Sequence, residues 1–160
     1  FVEPVEYLGL IVALKTPGRC IVIEGPSGIG KTTAALKAVA DAGIVDYVLT
    51  LSARKKEDLE TIAELPSLLP LGVVLIDDFH RLEDDVKRSI ADLMKTLADE
   101  GATHSKLIVL GITNAGASLI SFGKDLANRI EIIRLEANPE DKIHKLITLG
   151  ETHLTSAYKS

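Results

Sequence analysis

The sequence has 160 residues, a length that fits a single domain. Its hydrophobic content of 46% with 4% aromatic residues predicts an aliphatic core, and the formal net charge of −5 argues against broad electrostatic binding of nucleic acid. No apolar stretch reaches the roughly 18–20 residues of a membrane-spanning helix and nothing at the start resembles a signal peptide, so we expect a cytoplasmic protein without a membrane partner.

The first segment predicts a helix, a turn and a strand. Apolar residues recur as on one buried face of a short helix, at Val5, Leu8, Ile11, Val12 and Leu14. Thr16-Pro17-Gly18-Arg19 is a turn signal. The apolar run that follows predicts the first strand, from Cys20 to Glu24. Cys20 is the single cysteine, so it cannot form an internal disulfide and is expected to be a small core residue.

A glycine-rich loop of the form G-x-x-x-x-G-K-T follows this strand. The loop and the next threonine comprise Gly25, Pro26, Ser27, Gly28, Ile29, Gly30, Lys31, Thr32 and Thr33. With the strand before it and an alanine-rich helix after it, ending near Ala42, this segment has the context of a phosphate-binding loop. Backbone N–H groups of such a loop point at phosphate oxygens. We expect Lys31 to reach the β- and γ-phosphates of a nucleotide and the Thr32 hydroxyl to bind Mg²⁺.

Strands and helices alternate over the rest of the chain. Further strands are expected over 46–52, 72–78, 106–112 and 130–135. Helices are expected over 53–65, 82–98 and 118–127, and a closing helix is expected from Asn138. The helix over 53–65 has a basic start, Arg54-Lys55-Lys56, which we interpret as a solvated face rather than a nucleic-acid contact.

This alternation predicts an α/β fold, a three-layer α/β/α sandwich with a five-stranded, mostly parallel sheet. Ligands of such sheets bind at the carboxyl ends of the strands. The phosphate loop, the pair Asp77-Asp78 and Asn114 each lie at the carboxyl end of a predicted strand, so all three are expected at this edge.

Four side chains are candidates for the chemistry of the site. Asp77 is expected to act on Mg²⁺, largely through water, and Asp78 to orient or deprotonate the attacking water. Asn114 is expected to hold that water or a γ-phosphate oxygen, the alternative being a turn-forming asparagine. Arg129 is expected to reach a phosphate across a subunit interface, the alternative being a helix cap or a surface ion pair. His80 is interpreted as a surface loop residue.

In this order the motifs resemble those of the AAA+ ATPases. Residues 25–32 resemble Walker A, residues 73–78 Walker B, Thr113-Asn114 the first sensor and Asn128-Arg129-Ile130 the arginine-finger box. The resemblance implies an AAA+ core over residues 1–137, and over 138–160 the incomplete start of a helical lid. It also implies ATP or ADP and Mg²⁺ as cofactors, and a homo-oligomer assembled through the nucleotide-site interface. Walker B ends in Asp-Asp rather than Asp-Glu, which is similar to the initiator and helicase-loader branch and to STAND signalling ATPases.

Three functions remain open on this basis. The first is Mg²⁺-dependent ATP binding and hydrolysis, coupled to oligomerisation or to remodelling of an unidentified protein partner. The second is a nucleotide-controlled signalling switch with little hydrolysis. The third is a DNA-associated initiator or helicase loader, which the net charge of −5 does not support. A GTPase is disfavoured because the sequence has no Asn-Lys-x-Asp segment.

Overall fold

A computed structural model describes residues 4–44 and 46–136, and places five strands and five α-helices within them. The strands are β1 Cys20–Glu24, β2 Val48–Ser52, β3 Gly72–Asp77, β4 Ser105–Gly111 and β5 Ile130–Arg134. The helices are α1 Pro4–Lys15, α2 Lys31–Asp41, α3 Lys56–Glu64, α4 Asp84–Glu100 and α5 Ala115–Ser121. Short 3-10 turns cover Leu65–Ser67, Phe79–Arg81 and Lys124–Asn128. No helix within these ranges is long and apolar enough to cross a bilayer. The predicted helix from Asn138 and the predicted lid lie outside the described residues.

The five strands form one parallel sheet in the order β2-β3-β4-β1-β5. In the register of β1, Val22 pairs with Val109 of β4 and with Ile132 of β5. Every residue of β1 and β4 is buried, as expected for central strands that helices cover on both faces. The predicted three-layer fold with a parallel sheet is confirmed.

Alternate residues of each strand contribute to two apolar cores. Ile21 and Ile23 of β1 face the core that α1 and α2 cover, whereas Val22 faces the core that α3, α4 and α5 cover. The longest helix, α4, buries one stripe of residues in the second core, comprising Ile90, Leu93, Met94 and Leu97. Each fully buried side chain of this size stabilises the fold by roughly 1.5–3 kcal/mol. Gly101 ends α4 with a left-handed backbone, φ 58°.

Helix α1 is present, but most of the predicted buried face is wrong. Three residues of that face, Val5, Leu8 and Val12, are 76%, 65% and 63% exposed. Leu14 of the predicted face is buried as expected, but the other residues that the helix buries against the sheet are Leu10 and Ala13. Because apolar residues occur almost all the way round α1, their spacing does not determine which face turns inward.

Among the other elements, two helices differ most from the prediction. The helix expected over 118–127 is split into α5 and a 3-10 turn, because the chain between them is extended at Gly123, φ −165°. The helix expected from residue 53 begins at Lys56, since the preceding residues form a turn in which Lys55 N donates to Ser52 O at 3.1 Å.

Candidate nucleotide-binding site

The glycine-rich loop connects β1 to α2 at the carboxyl edge of the sheet. Gly28 and Gly30 have φ values of 77° and 90°, a left-handed conformation that L side chains rarely adopt. At its start the loop is fixed to β4, which lies beside β1 in the sheet, because Gly25 N donates to Gly111 O at 3.1 Å. Gly30 is the N-cap of α2 and offers no side-chain cap, so the first N–H groups of this helix remain available to an anion.

The Lys31 ammonium is held inside the curl of the loop. Its Nζ donates to Gly25 O at 2.9 Å and to Pro26 O at 3.0 Å. Both acceptors are neutral carbonyls, so these hydrogen bonds orient the positive charge without neutralising it. The geometry is that of a cation fixed beside the position where a phosphate would bind.

A cavity of about 530 Å³ opens beside the loop. Its wall combines the end of β1, the loop, one residue after β4 and three at the end of β5: Glu24, Gly25, Pro26, Ser27, Gly28, Ile29, Thr113, Arg134, Leu135 and Glu136. The volume is within the range of roughly 300–1,000 Å³ that is usual for small-molecule sites. The structure thus brings residues 25–29 of the predicted loop together with Thr113, next to the predicted Asn114. It also brings them to the end of β5, which the sequence did not indicate. Lys31, Thr32 and Thr33 are not in this wall.

The two predicted Walker B residues lie at the end of β3 and differ in backbone conformation. Asp77 is the last strand residue and its Oδ1 accepts a hydrogen bond from Asp78 N at 2.8 Å. Asp78 has a left-handed backbone, φ 57°. The backbone therefore turns sharply between the two residues, so they present their carboxylates differently, as separate roles require.

Asp78 is already engaged by a basic side chain. Arg54 Nε donates to Asp78 Oδ2 at 2.8 Å, and the Asp78 side chain is only 17% exposed. Arg54 lies in the turn after β2, and the neighbouring Ala53 N donates to Asp77 O at 3.1 Å. Arg54, Lys55 and Lys56 are all exposed, as a solvated face requires, but Arg54 in addition pairs with Asp78, which the sequence did not indicate. His80, expected at the surface, is half-buried and its Nδ1 has no hydrogen-bond partner.

The residues expected to bind Mg²⁺ supply the donors that this ion prefers. Thr32 lies in the first turn of α2 and Asp77 at the end of β3, and both are half-buried. A hydroxyl and a carboxylate oxygen are hard ligands that suit Mg²⁺. No group of three or more His, Cys, Asp or Glu side chains that could hold a metal occurs in ranges 4–44 and 46–136. This donor set fits Mg²⁺, which usually keeps several waters and uses one or two protein ligands beside substrate phosphates.

Asn114 stands at the start of α5, next to Thr113 in the cavity wall. Its backbone is left-handed, φ 77°, the conformation of a turn-forming asparagine, and it is the N-cap residue of α5. Its side chain makes no capping hydrogen bond and is exposed. Asn114 thus has the backbone of a turn-forming asparagine, and its side-chain amide is also available to a ligand.

Arg129 lies at the opposite edge of the sheet from the phosphate loop, because it directly precedes the parallel strand β5. Its Nε donates to Asp99 Oδ1 and its Nη1 to Asp125 O, both at 2.7 Å. The structure does not bring Arg129 to the loop of its own chain. Its contacts are those of the surface ion pair considered above, and its role in a neighbouring subunit stays a prediction.

One residue of the site was not anticipated. Glu24, at the end of β1, is 3% exposed, and its carboxylate accepts hydrogen bonds from Gly116 N at 3.0 Å and from Arg134 Nε at 2.8 Å. The signal in the sequence is a carboxylate at the end of an otherwise apolar strand, directly before the glycine-rich loop.

Comparisons with known proteins identify the family of this chain. The family model of the ATPase family associated with various cellular activities (AAA) matches residues 21–135. The chain is 32% identical over 99 residues to the Holliday junction branch migration complex subunit RuvB of Phytoplasma mali (strain AT), a match that covers 62% of this chain and 27% of that protein. The chain therefore spans about a quarter of the length of this curated relative.

Two solved structures from Thermotoga maritima have the same fold. A RuvB point mutant matches with a TM-score of 0.58 and 22% identity, covering 96% of this chain and 52% of the other. Domain III of the replication initiation protein DnaA matches with a TM-score of 0.57 and 18% identity, covering 99% of this chain and 77% of the other. The family match spans every strand from β1 to β5 except Cys20, and it includes the phosphate loop. This chain belongs to the ATPase family associated with various cellular activities and is an ATPase module of the AAA+ type.

Proposed function

We propose that this module binds ATP with Mg²⁺ at residues 25–33 and hydrolyses its terminal phosphoanhydride bond. The observation that carries the proposal is the phosphate loop, in which Gly28 and Gly30 bend the backbone and Lys31 is held by two carbonyls beside a ligand-sized cavity. Loop N–H groups and the Lys31 ammonium would neutralise the β- and γ-phosphates. Thr32 and Asp77 would hold Mg²⁺, which when bound adds charge neutralisation at the phosphates.

Asp78 and Asn114 would orient the attacking water. The water oxygen forms a bond to the γ-phosphorus while the bond between that phosphorus and the β–γ bridging oxygen breaks, which releases ADP and inorganic phosphate. The proton of the water passes to Asp78, and the Asn114 amide hydrogen-bonds to the water or to a γ-phosphate oxygen. Because Arg54 holds Asp78 Oδ2, this carboxylate must leave the ion pair, at least in part, before it can take up this role.

That ion pair also favours a second function, a nucleotide-controlled switch with slow hydrolysis. A carboxylate engaged by a guanidinium is less available to a water molecule, so a module in this state would bind nucleotide and turn it over slowly. The two proposed functions use the same nucleotide site and differ in the rate of ATP hydrolysis.

The partners of the module are proposed from two observations. Arg129 lies on the far edge of the sheet from the phosphate loop, which supports a homo-oligomer in which it serves a neighbouring site. The relatives are named as a branch migration subunit and a replication initiation protein, which supports a role in a cytoplasmic assembly that works on DNA. The net charge of −5 favours contact with DNA through other parts of such an assembly.

Binding and turnover measured separately test the proposal. Lys31→Ala should weaken ATP binding, whereas Asp78→Asn should preserve binding and lower kcat by a factor on the order of 100. Lys37→Ala is the matched control, since Lys37 lies on α2 but pairs with Asp41 away from the loop. Binding without measurable turnover in the wild type would favour the switch. ATP binding that is unchanged in Lys31→Ala would refute the site.

A further inference from the structure

Glu24 places a buried carboxylate between the phosphate loop and the segment that carries Asn114. Its side chain is 4% exposed and contacts α5 through Gly116 and β5 through Arg134. We propose that Glu24 is a positioning residue: it holds the first turn of α5 so that the Asn114 amide stays available to the nucleotide. The inference rests on the proposed function, because it assigns Glu24 an effect that passes through Asn114.

The capping pattern of α5 carries this inference. An asparagine at an N-cap normally accepts a hydrogen bond from the N–H of the second or third helical residue. Here the second helical residue is Gly116, and its N–H donates to Glu24 Oε2 at 3.0 Å instead. Asn114 makes no side-chain cap. Glu24 thus occupies one of the two N–H groups that the Asn114 side chain could otherwise bind.

Two close contacts fix the same turn of α5. A Cβ added at Gly111 would lie 2.6 Å from the Cβ of Ala115, and one added at Gly116 would lie 2.6 Å from Cδ1 of Ile132. The first two residues of α5, Ala115 and Gly116, are therefore closely packed against β4 and β5. With the turn fixed in this way, the carboxylate of Glu24 is an acceptor held in place, and a charged acceptor binds an N–H group more strongly than a neutral one does.

Arg134 allows this negative charge to lie in the wall of a phosphate site. Its Nε donates to Glu24 Oε1 at 2.8 Å, and both residues line the cavity beside the loop. Without a cation, a buried carboxylate directly before the loop would repel a polyphosphate. The pair offsets this repulsion, so the capping acceptor can be charged without opposing the ligand.

A double-mutant cycle between Glu24→Ala and Asn114→Ala tests the inference. We expect each single variant to lower kcat by roughly 10- to 100-fold, a range typical of small misplacements of a catalytic group. The double variant should be no slower than Asn114→Ala, because Glu24 then has nothing left to position. The dissociation constant of ADP should stay within about threefold of the wild type. Glu24→Gln should restore most of the turnover, since its amide oxygen can accept from Gly116 N.

Glu131→Ala is the matched control, because Glu131 pairs with Arg19 in a second carboxylate–guanidinium contact on the sheet that does not touch α5. Its kcat should be unchanged. If Glu24→Ala does not fold, Glu24→Asp replaces it, since the shorter side chain cannot keep both contacts. Multiplicative losses in the double variant would overturn the inference and leave the ATPase proposal intact. An unchanged kcat in Asn114→Ala would overturn both the inference and the role of Asn114. The ATP site itself is tested separately, by ATP binding of Lys31→Ala.

Discussion

The guanidinium of Arg54 lies 2.8 Å from the carboxylate of Asp78, and so connects the turn after β2 to the residue that follows β3. The two side chains are 58% and 17% exposed. A partly exposed pair of this kind contributes up to about 1 kcal/mol. The contact is therefore strong enough to bias the orientation of Asp78 and weak enough for a bound nucleotide to displace.

Arg54→Ala should consequently raise kcat, because it frees Asp78 to orient water. The increase should not exceed about fivefold, the rate equivalent of about 1 kcal/mol. Steady-state ATP turnover at saturating ATP measures the effect. Lys55→Ala is the control, since the neighbouring lysine is exposed and has the same charge. A fall in kcat instead would mean that Arg54 contacts the nucleotide.

Arg129→Ala should lower turnover only where neighbouring subunits can form a site. An arginine that acts on a neighbour's phosphate contributes about 10³-fold or more to kcat. Asp99→Ala breaks the same ion pair but keeps the guanidinium, so it controls for the loss of the Arg129–Asp99 contact. Turnover measured against protein concentration separates the two variants. Equal, small effects of both would remove the arginine-finger role and leave only a surface ion pair.

Gly116→Ala should destabilise the fold, because the new methyl group would lie 2.6 Å from Cδ1 of Ile132. Overpacking of this kind lowers the free energy of unfolding by roughly 1–3 kcal/mol. Gly123→Ala is the matched substitution, since its added Cβ meets no atom within 4 Å and its backbone is extended. Urea denaturation should show a loss for the first variant and little change for the second. Equal free energies of unfolding for the two variants would show that the Ile132 side chain of β5 can move away from the new methyl group.

Lys106 should make stability depend on pH in the alkaline range. Its Nζ donates to Ala13 O, Thr16 O and Arg19 O at 2.9, 2.8 and 2.6 Å, while burial lowers the pKa of this ammonium from 10.5 to about 8. Between about pH 8 and 10.5 the unfolded chain thus binds more protons at this residue than the folded chain does. The contribution of Lys106 to the free energy of unfolding should therefore rise across that window and stay constant below it.

The measurement is the difference in unfolding free energy between the wild type and Lys106→Met, followed from pH 7 to pH 10. The buried Cys20 thiol, whose pKa desolvation raises to about 11, is present in both proteins and largely drops out of the difference. A difference that falls as the pH rises would contradict the lowered pKa.

How much of the fold and the site could be predicted depends on how far apart in the sequence the contacting residues lie. Strand β1 has the predicted ends, because a turn and the glycine loop bound its apolar run. The phosphate loop is likewise a local signal. The partners of Glu24 and Asp78 are not local: Arg134 lies 110 residues from Glu24, and Arg54 lies 24 residues from Asp78. Finding them requires the strand order and the direction of each side chain, which residue spacing does not supply.

The opposite placement of Arg129 and the phosphate loop has a geometric consequence for assembly. An interface that brings one to the other joins the amino edge of one sheet to the carboxyl edge of the next, since the two sites lie at opposite ends of the same parallel strands. When this contact is heterologous, it repeats head to tail and generates a closed ring or an open helical filament. In an open filament the terminal copy would have a phosphate loop that no arginine completes, so closure of a ring would complete the last site.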